Sequence, residues 1–311
     1  MAPVYIGNFT TAIALASLDE DTGQLTASGT VEGVRDPAFL TLTSDGKLLY
    51  AVNDSADGRV TALSVGTGGG LTPIGSRSSE GVMPTHLSVH PRGGFLLVPD
   101  LGTDRVHVHS LDLATGRLGA VGDTVLRSGS GPRHLVFHPT APVVYVAGEL
   151  DSTVTVCDYD PAAGKLAPGQ VLAAAPGGGP RNYPAEIVIS QDGRFVYVSN
   201  RGHNSIAVFA VESGGRRLRS LNTVPCGGNW PRHITIDESG RLLFASNQYS
   251  NSVTTFRVDT TSGALRILRD TRTRSMGACA KSLACPHLSP LGGPFSTPSP
   301  VCLLLGTAAR A

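Results

Sequence analysis

Charge is scarce in this chain. Only 16% of its residues are charged, and 25 basic against 24 acidic side chains leave a formal charge of +1. No broad field of one sign is therefore present to gather nucleic acid or an anionic membrane, and an anionic ligand would need a local cluster. Aromatic residues make up 5%, with Trp230 the single tryptophan, which counts against a repeat scaffold carrying an aromatic binding rim. No apolar run approaches the roughly 20 residues that cross a bilayer. The opening residues lack a basic leader and read as a strand rather than a targeting segment. The cysteines Cys157, Cys226, Cys279, Cys285 and Cys302 are odd in number and lack metal-ligand spacing, so a reduced, cytoplasmic setting is expected. No GxSxG elbow or HExxH motif occurs, which leaves a covalent serine hydrolase unsupported. The runs GTGGG and PGGGP fall between strands, with no helix after them to cradle a phosphate.

What the chain does have is turns and repetition. It contains 38 glycines and 21 prolines beside 41% hydrophobic residues, a mix suited to many short strands. Five segments open with proline and continue as strand, turn and strand, beginning at Pro37, Pro84, Pro132, Pro184 and Pro231, with spacings of 47, 48, 52 and 47 residues. Inside each unit apolar residues alternate with period two, and turn sequences such as SDGK, QDGR and ESGR separate the runs. A Val-rich third strand and a fourth strand follow. Four antiparallel strands repeated at this interval predict an all-β propeller blade. Residues 4–33 supply a second, third and fourth strand, and PSPVCLLL at 298–305 supplies a lone first strand. Pairing the two ends makes a sixth blade and removes both sheet edges. The expectation is one propeller domain over 1–311, interrupted by an aperiodic loop at 269–297.

Residues that hold a blade together should recur, whereas residues that do chemistry should differ between blades. The position ending the second strand reads Asn53, Asp100, Gly148, Asn200 and Asn247, mostly turn-capping side chains. The next position reads Asp54, Leu101, Glu149, Arg201 and Gln248, and the two after each opening proline read Ala38-Phe39, Thr85-His86, Arg133-His134, Ala185-Glu186 and Arg232-His233. The start of the first strand and the end of the second share a rim. One mouth should therefore collect Arg133, Arg201, Arg232, His86, His134, His233, Glu149 and Glu186, with His203 two residues beyond Arg201. Arginines grip carboxylate or phosphate by paired hydrogen bonds, and a glutamate or histidine among them can move protons. The bland alternative is a polar plug whose members satisfy one another. His107 and His109 share a strand face but lack a third ligand in sequence, so they read as a solvated strand rather than a metal site. His287, near Cys279 and Cys285, reads as loose loop.

At these residues the chain resembles the propeller lactonase family, which includes bacterial 6-phosphogluconolactonases of the propeller type and fungal carboxymuconate lactonizing enzymes. The matching stretches are GPRHLVFHP, GELDSTVTV, AEIVISQDGRFVYVSNRGHNSIAVF, PRHITID and the closing PSPVC. The resemblance implies that Arg133, Glu149 and Arg201 are active-site groups. The family usually has seven blades where six are counted here. Residues 81–112 look like the front of one family repeat joined to the back of the next, without the histidine-rich stretch that opens the later one. The expected activity is hydrolysis of a sugar lactone, most simply a phosphorylated one. Glu149 or His134 would act as base, Arg133 and Arg201 would stabilise the oxyanion, and Arg232, His233 and His203, with Glu186 and His86 nearby, would hold the substrate. No metal or cofactor is required, and the expected partner is a small anionic lactone bound by a monomer. A lactonizing isomerase and a non-catalytic scaffold are the competing expectations.

Overall fold

The computed structural model describes residues 2–18, 25–177, 181–237, 239–250, 252–272 and 302–305. Within them the strands form six four-stranded antiparallel sheets. Blade I has Ala2–Gly7, Ala12–Leu18 and Leu25–Glu32, with Cys302–Leu305 as its innermost strand. Blade II runs through Pro37–Leu42, Leu48–Asn53, Arg59–Val65 and Leu71–Ser78, and blade III through Ser88–Val89, Phe95–Asp100, Arg105–Leu111 and Leu118–Val125. Blade IV comprises Pro132–Phe137, Val143–Gly148, Thr153–Asp160 and Lys165–Ala173. Tyr183–Ile189, Phe195–Arg201, Ser205–Glu212 and Arg217–Pro225 make blade V, and Pro231–Ile236, Leu242–Asn247, Ser252–Val258 and Leu265–Arg272 make blade VI. The closing strand pairs with the first segment of the chain through Val4↔Leu305 to Gly7↔Cys302, the ring closure expected from the sequence. The last strand of blade VI continues to Arg272 because it stays in register with Ser252, so the first four residues of the expected loop are strand. The remainder of that loop, with Cys279, Cys285 and His287, lies outside the described residues.

The second strands read as almost continuous apolar runs because both their faces are covered. Leu48–Asn53 and Val143–Gly148 are buried throughout. Apolar clusters fill the seams between neighbouring blades. Leu97 and Val108 of blade III meet Leu135 and Val146 of blade IV, and Tyr197 and Val208 of blade V meet Ile234 and Phe256 of blade VI. Burial of each such side chain contributes about 1.5–3 kcal/mol. A tyrosine in four of the second strands adds direction to this packing. The hydroxyls of Tyr5, Tyr50, Tyr145 and Tyr197 donate to the carbonyls of Gly69, Gly116, Gly215 and Gly263 at 2.9, 3.0, 2.7 and 3.2 Å. Each acceptor lies in the turn between the third and fourth strands of the following blade.

Blade III departs from the repeat. Its innermost strand is reduced to Ser88–Val89, supplemented by an isolated bridge between Pro84 and Asp100. Its third strand corrects the expectation of a solvated histidine face: His107 and His109 are buried, at 4% and 0% exposure. The face is covered by blade II and the segment after it. Arg77 of blade II acts electrostatically on His109, and the Gly81 backbone sits so close that an added Cβ would stand 2.9 Å from His107 Nε2. Neither ring nitrogen of His109 has a hydrogen-bond partner among the described residues. Burial pushes its pKa down to about 4.

Two outcomes follow from this packing. Tyr145→Phe leaves the buried Gly215 carbonyl unpaired and should lower the unfolding free energy by about 1–3 kcal/mol, read from urea denaturation; an unchanged midpoint would show that the seam does not need the bond. Between about pH 4 and 6.5 the unfolded chain protonates His109 while the folded chain does not, so acidification through that window removes stability and raising the pH restores it. His109→Leu should reduce the slope of unfolding free energy against pH by up to about 1.4 kcal/mol per unit.

Candidate active site

The innermost strands of blades II, IV, V and VI all begin with a bulge. Pairing skips from Pro37 to Phe39, Pro132 to His134, Pro184 to Ile187 and Pro231 to His233. A bulge sets two residues against one on the partner strand and re-aims a side chain. Arg133 and His134 can therefore both serve the axis from consecutive positions, which strict alternation would forbid.

The second position after each proline forms a collar around the axis. The Phe39 and His86 rings lie 4.2 Å apart, and His86 stacks on His134 at 4.4 Å with an interplanar angle of 28°. His134 Nδ1 is 2.8 Å from Glu186 Oε1, and Glu186 Oε2 accepts from His233 Nδ1. Every polar member is at most 4% exposed on its side chain or as a residue. Burial drives the His134 pKa down to about 3, outweighing the Glu186 charge. For Glu186, burial opposes ionisation but the two histidines prevail and hold its carboxyl well below the usual range. The coherent state is an ionised Glu186 accepting N–H bonds from two imidazoles, which locks His134 Nδ1 as a donor and leaves Nε2 as an acceptor.

Above the collar lies an ion cluster drawn from blades IV and V. Glu149 Oε2 forms ion pairs with Arg133 Nε at 2.9 Å and with Arg201 Nη2 at 2.6 Å. Both guanidiniums are tied to the backbone as well. Arg133 Nη1 donates to Ala185 O at 2.8 Å, and Arg201 Nε donates to Tyr183 O at 3.1 Å. Glu149 is the most open of the three, its side chain 16% exposed against 7% for Arg133 and 6% for Arg201. Burial, followed by the charge of Arg133, lowers the Arg201 pKa to about 9. Arg232 is half-buried on the same mouth, close enough for its charge to act on Arg201. His203 is half-buried and its Nδ1 lies 2.7 Å from Ser205 Oγ. Eight of the nine residues singled out in the sequence are thus linked by contact or by charge at this mouth, and His203 is placed only by its bond to Ser205.

Structure adds residues that the repeat comparison did not select. Asp54 occupies the position equivalent to Glu149 in blade II; burial raises its pKa, opposed by the charges of Arg133 and Arg232. An aromatic group formed by Tyr183, Trp230 and Tyr249 stands beside Arg201. Widening the comparison to two residues on each side of the variable positions would have found those three rings. His86, His134 and Glu186 each bring one ligating atom within 4.8 Å of the others, the separation a metal ion requires. The charge of Arg133, which acts on His134, opposes a cation there. The end-of-strand asparagines have the structural work expected of them: Asn200 Nδ2 donates to Ala174 O of the preceding blade at 2.8 Å, and Asn247 Nδ2 donates to Thr254 Oγ1 at 3.0 Å.

Comparison with known proteins agrees with this arrangement. The family model for the lactonase, 7-bladed beta-propeller matches residues 3–98 and 88–281. The two matches overlap in blade III, where the innermost strand is abbreviated. A 6-phosphogluconolactonase of Bacillus subtilis (strain 168) is 31% identical over 230 residues, covering 70% of this chain and 65% of the relative. Another, from Pectobacterium carotovorum, is 30% identical over 203 residues, covering 64% and 60%. The chain thus spans a little under two thirds of the length of these curated relatives. Among solved structures, a periplasmic gluconolactonase of Pseudomonas aeruginosa superposes with a TM-score of 0.79 at 25% identity, covering 98% of this chain and 85% of that one. A Lactobacillus plantarum protein at 24% identity and a TM-score of 0.68, covering 98% and 99%, supports the fold. With most of its length matched by that model, the chain belongs to the lactonase β-propeller family, its described residues forming six blades.

Proposed function

We propose that this protein hydrolyses a sugar lactone, with 6-phosphogluconolactone as the leading substrate. The observation that carries the reading is Glu149 held by two arginines at one mouth of the ring. Glu149 Oε2 lies against both arginines, and its carboxylate takes a proton from the attacking water. That water adds to the C1 carbonyl, and the proton returns through Glu149 to the ring oxygen as the C1–O bond breaks. Arg133 and Arg201 keep N–H donors beyond those already engaged and stabilise the oxyanion, an effect on the order of 3 kcal/mol per donor. His134 is less suited as the base because its pKa is pushed to about 3. It serves as a neutral acceptor positioned by Glu186. Arg232, His203 and His233 hold the remote phosphate, and His86 packs His134 from the opposite face.

The step needs no metal, and the arginine-rich mouth suits an anionic substrate better than a cation. All the residues named for the step belong to one chain, so the step itself asks no more than a monomer. A formal charge of +1 supports neither a nucleic-acid nor a membrane partner, and no helix among the described residues is long and apolar enough to cross a membrane. The buried thiols of Cys157 and Cys226 accord with a cytoplasmic location.

Freshly prepared 6-phosphogluconolactone, assayed against unphosphorylated gluconolactone and corrected for spontaneous opening, tests the proposal. Glu149→Gln should reduce turnover about a hundredfold or more with the circular dichroism spectrum unchanged; full activity in that variant eliminates Glu149 as the base. Arg232→Ala should raise KM for the phosphorylated lactone about tenfold or more relative to gluconolactone, as expected for loss of a charge-assisted contact. Equal effects on both lactones would remove Arg232 from phosphate binding.

A further inference from the structure

Aromatic residues are few, yet three of them meet on the rim beside the ion cluster. Trp230 stacks on Tyr249 with centroids 4.8 Å apart and an interplanar angle of 21°, and Tyr183 lies 5.9 Å from Trp230. The guanidinium carbon of Arg201 sits 5.7 Å from the Trp230 ring centre, so the rings adjoin a member of the candidate site. Tyr249 is 61% exposed, an unusual position for a ring with no function. Fold requirements do not explain these residue types. The residue before the opening proline is left-handed in four blades, at Asp36, Met83, Gly131 and Trp230, with φ of 44, 60, 55 and 66°. Glycine adopts that conformation freely and aspartate tolerates it, whereas a bulky tryptophan is strained there. The position of Tyr249 is filled by Ser55, Gly102, Leu150 and Gly202 in the other repeats, so the turn does not require a ring either.

Around the rings, polar side chains accompany two guanidiniums, Arg201 near Trp230 and Arg181 5.0 Å from the centre of Tyr183. Trp230 N donates to Asn204 Oδ1 at 2.8 Å, Asn204 Nδ2 donates to Asn229 Oδ1 at 3.0 Å, and Asn229 N donates to Ser250 Oγ at 3.0 Å. A flat π face bordered by amide and hydroxyl side chains matches a pyranose ring. The electropositive C–H groups of the sugar meet the negative face of the aromatic ring, and its equatorial hydroxyls reach the polar border. A protein-binding hot spot would instead sit in a desolvated apolar patch.

We propose that Tyr249 and Trp230 form a subsite for a second sugar ring, so that the preferred lactones include aldonolactones carrying a glycosyl substituent. The proposal deepens the lactone-hydrolysis reading and rests on it for the identity of the ligand. The chemical step is unchanged: water adds at C1, the ring C1–O bond breaks, and the glycosidic bond is untouched. Trp230 is the single tryptophan, so its fluorescence reports occupancy without any turnover. Lactobionate, a galactosyl-gluconate, should change that emission and bind about tenfold more tightly than gluconate. Tyr249→Leu keeps an apolar side chain at an exposed position, and it should abolish that advantage and lower the ratio of kcat/KM for lactobionolactone over gluconolactone about tenfold. Equal affinities for the two acids, or an advantage that survives in Tyr249→Leu, would overturn the subsite. The two proposals fail separately. A protein that opens gluconolactone but binds both acids alike refutes the subsite and retains the lactonase. One that opens neither lactone, yet binds lactobionate through Tyr249, refutes the lactonase and retains the subsite.

Discussion

Everything at the axis depends on each blade being held at a set position against the next. Apolar seams provide most of the energy for this, but they are non-directional and could tolerate sliding. The tyrosine hydroxyls of the second strands remove that freedom, because each must reach one glycine carbonyl in the following blade. A buried carbonyl left unpaired is costly, so the bond selects one seating of the blades. Only with blades IV, V and VI seated in this way do Arg133, Glu149, Arg201, Glu186 and His233 come within hydrogen-bonding distance of one another.

That seating converts weakly charged sheets into a concentrated polar site. Bulges at the strand starts present two consecutive side chains to the axis, giving a collar of rings and one carboxylate below a cluster of guanidiniums. The two layers divide the electrostatic problem. In the collar, Glu186 stays ionised because two imidazoles donate to it. In the upper layer, Glu149 offsets the mutual repulsion of Arg133 and Arg201, which together with burial depresses the Arg201 pKa. An anion entering this mouth would meet positive charge already fixed by backbone carbonyls, an arrangement that needs little reorganisation to stabilise negative charge.

The ring reaches closure with one blade fewer than its family description. The irregularity is confined to blade III, whose innermost strand is two residues long and whose buried histidines lack full hydrogen bonding. The ion cluster comes from blades IV and V, on the other side of that irregularity. Blade III still contributes His86 to the collar through its contact with His134, but its equivalent of Glu149 is Leu101. The shortened blade therefore alters the wall of the mouth more than its charged centre.

Repeat spacing and period-two alternation were sufficient to place the blades, the closing strand and the rim, because these are local patterns set by turn chemistry and by which face of a strand is covered. The same comparison singled out Arg133, Glu149, Arg201 and the histidines, since unlike residues stood at equivalent positions. It passed over Asp54, Tyr183, Trp230 and Tyr249, which stand at or within two residues of those positions, and it misjudged His107 and His109. A strand's alternation says that one face differs from the other, but not whether a neighbouring blade covers it. The pairing of Glu149 with two arginines, the tie of Glu186 to two histidines and the stacking of Trp230 on Tyr249 were decided by tertiary structure alone. Arg133 meets Glu149, and Trp230 meets Tyr249, across one blade's first hairpin, whereas Arg201, His134 and His233 reach their partners across blades, so the packing of blade on blade sets those angles.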